Sequence, residues 1–160
     1  MATEKITFEQ FMETVEEQNT AFIQDLHDYL LASGCKVAFE QKKNGMLASF
    51  KLGKPPRAVC NFLFRKHGML VRIYGENIYK YDDFMQTLPE EMVASIAASG
   101  DCGRMVSGTC STNCKGYDVT IRGERFQKCR YGAFELLIVA ESTSFIKAFV
   151  EHEIEARVEG

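Results

Sequence analysis

The stretch CKVAFEQKKNGMLASFKL, residues 35–52, decides the fold. On either side of Asn44 and Gly45, apolar residues recur at every second position: Val37 and Phe39 before the turn, Ala48, Phe50 and Leu52 after it. Successive side chains of a strand point to opposite faces, so the pattern reads as two strands with one buried face each. Asn-Gly supplies the left-handed backbone that a two-residue hairpin turn requires. A hairpin commits the chain to antiparallel pairing, because parallel neighbours need a long crossover between them.

Toward the C-terminus, GKPP (53–56) turns the chain into RAVCNFLFRK (57–66), and His67 and Gly68 turn it again into MLVRIY (69–74). Four strands joined by short connections predict an antiparallel sheet over 35–74. Toward the N-terminus, Thr7 and Gln10 have capping-box form and open an apolar series Phe8, Phe11, Met12, Val15 at helical spacing. The series resumes at Phe22, Ile23, Leu26 and Leu30 and meets a stop at Gly34, so 7–33 is helical, with EEQNT (16–20) read as a break. Beyond the sheet, 82–99 is helical, with Pro89 at a first-turn position and Gly100 as its stop. A cysteine-rich segment, 101–131, holds a hairpin that turns at Gly123; FELLIV is a further strand, and 142–158 is an amphipathic helix. The expectation is one α+β domain, 1–160: an antiparallel sheet flanked by N-terminal, middle and C-terminal helices, with a C-terminal four-cysteine zinc module.

Composition restricts the function. Apolar and charged fractions of 46% and 26% belong to an ordinary globular protein. A net charge of −3 implies no general attraction to nucleic acid or membrane. The longest apolar run, AFELLIVA (133–140), is far too short to span a bilayer. The opening MATEKITFEQF lacks the apolar core of a secretory signal, which makes the cytoplasm, with reduced thiols, the expected compartment. Charge is uneven: residues 100–131 sum to +3 and the remainder to −6.

Four of the six cysteines fall in that basic segment, as Cys102-x7-Cys110-x3-Cys114-x14-Cys129. The middle spacing suits two thiolates directed at one ion from a tight loop, and a closed four-thiolate site is the signature of structural rather than catalytic zinc. Such a site carries a charge of −2, which Arg104, Lys115, Lys128 and Arg130, each within two residues of a cysteine, would offset. Buried free thiols, or disulfide or redox chemistry, are the alternatives. Cys35 and Cys60, in apolar strands, read as core.

No nucleophile elbow, phosphate loop, dinucleotide fingerprint or zinc-protease motif occurs, so no catalytic residue is assigned. His27 and His152 read as polar helix positions, and His67 as a turn residue. Strand alternation places Lys51, Asn61, Arg65, Arg72 and Tyr74 on one sheet face. Such a face is either a cationic pocket for a small anion or the solvated side of an amphipathic sheet. Tyr117, Phe126 and Tyr131 interleave with basic residues, a pattern that stacks nucleic-acid bases or simply packs a small core.

The segment LPEEMVASIAASGDC…CSTNCKGYDVTIRGERFQKCRYGAFELLI, with NFLFRKHGMLVRIY before it, resembles a family of small uncharacterised bacterial proteins. The likeness lies in the C…C-x3-C spacing, the Gly116–Tyr117 pair, a short hairpin and Lys128-Cys129-Arg130-Tyr131 followed by an aromatic. It implies that the four cysteines act as one group and implies no activity. The resulting expectation is a cytoplasmic, non-enzymatic module for a small molecule or protein partner, with a structural zinc. The first alternative is nucleic-acid binding through the basic segment. The second is an enzyme using the cationic sheet face.

Overall fold

The computed structural model describes residues 5–43, 45–66, 68–102, 108 and 116–159. Its centre is a five-stranded antiparallel sheet in the order β1-β2-β3-β4-β7, formed by β1 (Lys36–Lys42), β2 (Gly45–Leu52), β3 (Arg57–Arg65), β4 (Gly68–Ile73) and β7 (Glu135–Leu137). The first four strands run as a meander. The short β7 returns from far along the chain to pair with β4, opposing Glu135 to Arg72 and Leu136 to Val71. A separate hairpin joins β5 (Tyr117–Ile121) to β6 (Glu124–Lys128). Its turn is Arg122 and Gly123, both at positive φ (47° and 88°), the backbone of a two-residue hairpin turn.

Register explains the core. Val37, Phe50, Cys60 and Ile73 oppose one another across four strands, and Phe39, Ala48, Phe62, Val71 and Leu136 form the adjoining row. Helices α1 (Phe8–Met12) and α2 (Glu17–Ala32) bring Phe11, Ile23, Leu26 and Leu30 into the same buried cluster. Phe11 meets the rings of Phe39, Phe62 and Phe64 at centroid distances of 5.3, 6.2 and 6.0 Å. Cys35 and Cys60 are buried within this core.

The N-terminal helical region is two helices, and the break lies at residues 13–16, earlier than EEQNT suggested. The capping box is present: Gln10 N–H donates to Thr7 Oγ1 (3.1 Å), and Thr7 N–H donates to Gln10 Oε1 (2.8 Å). His27 is not a solvated helix position. It is 6% exposed, stacked on Phe8 at 3.7 Å and set edge-on to Phe50. Its ring therefore fixes α1 onto α2. The expected turn residue His67 lies outside the described residues.

The middle helical region also divides. A 3-10 turn (Ile78–Tyr81) runs into α3 (Asp82–Met85), and residues 86–89 separate it from α4 (Glu90–Ala98), with Pro89 as the residue preceding the helix. The C-terminal helix α5 (Thr143–Glu159) lies beside α2, joined by the pair Lys147–Asp25 at 2.5 Å. Phe149 is wholly buried, with its ring 5.0 Å from Phe134 and 6.0 Å from Tyr81. Among the described residues no helix is long and apolar enough to cross a membrane.

Candidate functional site

A cleft opens at the end of the sheet where β2 passes to β3 and β4 passes to the 3-10 turn. Its volume is about 1340 Å³, and four separate stretches wall it: 52–57, 75–80, 116–118 and 156–158, with Arg130 between them. Among these lining residues five side chains are basic and only Glu76 and Asp118 are acidic. Asp118 is already engaged by the Arg125 guanidinium through two bonds of 2.9 and 2.6 Å. The field inside the cleft is therefore positive, although the chain as a whole is acidic.

Two carboxylates organise the wall. Glu153 on α5 is fully buried and accepts four hydrogen bonds: Asn77 N–H (3.1 Å), Asn77 Nδ2 (2.9 Å), Tyr81 Oη–H (2.5 Å) and Arg157 Nε (2.7 Å). Burial, and next the adjacent Glu153 charge, push the Tyr81 phenol far above its usual value, so it remains a donor. Arg157 lies one helical turn after Glu153 and also donates to Tyr74 O (2.9 Å) and Arg57 O (3.3 Å). This ties the end of α5 to the ends of β3 and β4. Gly75 N–H donates to the buried Tyr117 hydroxyl (2.9 Å), tying the same corner to the β5–β6 hairpin. Burial raises the Tyr117 phenol as well.

Glu76 is held differently. Arg130 Nη2 lies 3.0 Å from its carboxylate, Arg57 Nε 3.4 Å and Arg157 Nη2 3.9 Å. Arg130 also rests over the Tyr74 ring, 5.2 Å from its centroid. Arg57 is more than half exposed and Tyr79, on the rim, is 72% exposed. The arrangement presents planar guanidinium donors to a cavity, which suits carboxylate or phosphate recognition.

The structure places the residues expected from strand alternation as follows. Asn61 and Arg72 oppose each other directly, and Asn61 Nδ2 lies 3.3 Å from the Tyr74 hydroxyl. Arg72 is not a free cation: its Nε and Nη2 both donate to Glu135 Oε1, and Arg65 Nη2 lies 3.9 Å from the same oxygen. Lys51 follows a register shift between Phe50 and Lys51 and opposes Lys36 on β1 and Ala58 on β3. Asn61 is 7% exposed, and its Oδ1 has no partner among the described residues. None of the five lines the large cleft.

Of the four clustered cysteines, Cys110 and Cys114 lie outside the described residues, as do Arg104 and Lys115. Cys102 is buried, and its N–H donates to Gln127 O (2.9 Å); Cys129 N–H donates to Gly100 O (2.8 Å). Both thus flank the isolated bridge between Asp101 and Lys128. Gly116, two residues past Cys114, packs on Cys102: a Cβ there would overlap the sulfur, 2.8 Å from Cys102 Cβ and 2.9 Å from Lys128 O. Among the described residues no three histidine, cysteine or acidic side chains gather as metal ligands. Lys128 and Arg130, expected to offset thiolate charge, have hydrogen-bond partners of their own. Lys128 Nζ donates to Ala97 O, Ser99 O and Asp101 Oδ1 at 2.8–3.1 Å, capping α4, while Arg130 turns to Glu76.

Of the interleaved aromatics, Tyr117 and Phe126 are buried and Tyr131 is exposed. No family model matches the sequence, and no curated protein or solved structure matches it significantly.

Proposed function

We propose that this chain is a non-enzymatic binding module that takes a small anionic ligand in the cleft at the sheet end. A structural zinc on Cys102, Cys110, Cys114 and Cys129 would sit beside it. The observation that carries the reading is the convergence of Arg57 and Arg130 on a cavity of about 1340 Å³. Ligand pockets commonly span a few hundred to about a thousand Å³, so the space exceeds what a bare ion needs. The zinc rests on the cysteine spacing and on Gly116, which carries the chain against Cys102 just after Cys114.

The nucleic-acid alternative loses support from the partners of the basic hairpin. Arg125 is held by Asp118, Arg122 donates to Gln86 O and Leu88 O, and Lys128 is buried. Cations so engaged neutralise few phosphates, and tight non-specific binding needs several. Two measurements test the proposal. Elemental analysis of chelator-free protein should return about one zinc per chain. Native mass spectrometry of gently purified protein should retain a small acidic adduct that Arg130→Gln loses. A folded, metal-free protein refutes the zinc, and an adduct indifferent to Arg130 refutes the cleft.

A further inference from the structure

We infer that Glu76 is a resident counter-ion that the ligand's own anionic group displaces, and that the ligand carries this group on a flat, largely apolar body. The inference rests on the reading of the cleft as an anion site and specifies how that site works. The two carboxylates of the cleft wall set the contrast. Glu153 is fully buried and accepts four hydrogen bonds of 2.5–3.1 Å, as a carboxylate that holds a fold together does. Glu76 is partly exposed and has one contact at 3.0 Å, with its other arginines at 3.4 and 3.9 Å. It neutralises the cluster without saturating it.

Two of the three guanidinium groups have supports other than Glu76, Arg157 being bonded to the buried Glu153. Arg130 is supported by the Tyr74 ring, and the Arg57 carbonyl is gripped by Arg157. An incoming carboxylate or phosphate meets the supported Arg130 guanidinium and the half-exposed Arg57, and it replaces an anion of similar charge and shape. The rest of the cleft is not built for a bare ion. Tyr79 presents its ring to solvent at the rim, and Pro55 and Pro56 line the cleft with it. Those surfaces suit a planar ring on which the tyrosine can stack.

Calorimetric titration of the full-length protein with inorganic phosphate, phenyl phosphate and benzoate tests this at about 50 mM salt, where screening is weak. Phenyl phosphate or benzoate should bind, and inorganic phosphate should bind at least tenfold more weakly. Which of the two aromatic probes wins identifies the anionic group. Glu76→Gln, an isosteric change, should tighten the better probe by about tenfold, because the competing charge is gone. Glu76→Asp, which keeps the charge but withdraws it, should have a smaller effect, and Arg57→Gln should weaken binding. Thermal melts establish that each variant is folded. Wild-type binding that neither Glu76 variant changes overturns the displacement while leaving the anion site intact. Absence of binding to both wild type and Glu76→Gln overturns the site itself. Equal affinity for inorganic and phenyl phosphate overturns the flat body.

Discussion

Glu153→Gln changes one atom of a buried side chain and should cost a large share of the stability of this fold. The carboxylate faces four donors and no acceptor. A carboxamide keeps one oxygen, so if that oxygen stays with Asn77 N–H and the Tyr81 hydroxyl, its N–H2 points at Asn77 Nδ2 and Arg157 Nε. Two part-buried donors then lose their acceptor, at up to about 1–3 kcal/mol each. Arg157, only 9% exposed, also loses its nearest counter-charge, and breaking a buried pair costs about 3–5 kcal/mol. The two figures describe overlapping losses, and Arg157 retains Tyr74 O and Arg57 O, so about 3–4 kcal/mol is expected. For a domain of this size that is a fall in Tm of about 10 °C. Urea denaturation followed by circular dichroism should show a lower midpoint at unchanged slope. A loss below about 1 kcal/mol would refute the idea that Glu153 organises the cleft wall.

Two further outcomes follow from other parts of the molecule. Gly116→Ala forces a Cβ into Cys102 and Lys128 O, so it should destabilise by about 1–3 kcal/mol and, on the proposed zinc site, lower metal retained after dialysis. Alkaline pH should also destabilise the protein. Burial raises the Cys35 thiol to about 11 and also raises Cys60, Tyr81 and Tyr117 above their usual values. The unfolded chain sheds these protons at the ordinary values, near 9 for the thiols and 10 for the phenols, while the fold still holds them. Stability therefore falls as pH climbs from about 9 to 11, and a Tm constant across that window would contradict the burial.

Much of the fold was legible because it is local. The period-two runs of β1 and β2 and the Thr7–Gln10 capping box each act within a few residues, where propensity and pattern decide the backbone; Asn44, read as a turn residue, lies outside the described residues. The turn at Arg122 and Gly123 was legible for the same reason. The sheet's fifth strand was only half legible. The run around Leu136 reads as a strand, but pairing it with β4 closes a loop of more than sixty residues, and no local signal encodes that partner. The consequence reached the site: Glu135, unread in the sequence, arrives beside Arg72 and neutralises it.

Sequence alone thus determined the helical regions and the meander, because each depends on spacing along the chain. The tertiary structure decided where charge is available. Lys128, near a cysteine in sequence, caps a helix, and Arg72, read as part of a cationic or solvated sheet face, is paired with Glu135. Arg57, Glu76, Arg130 and Arg157 carry no shared pattern yet meet in one cleft. Electrostatic interaction falls off over a few ångströms of space rather than along residue number, so a site assembled from four distant segments becomes visible only once the chain has brought them together.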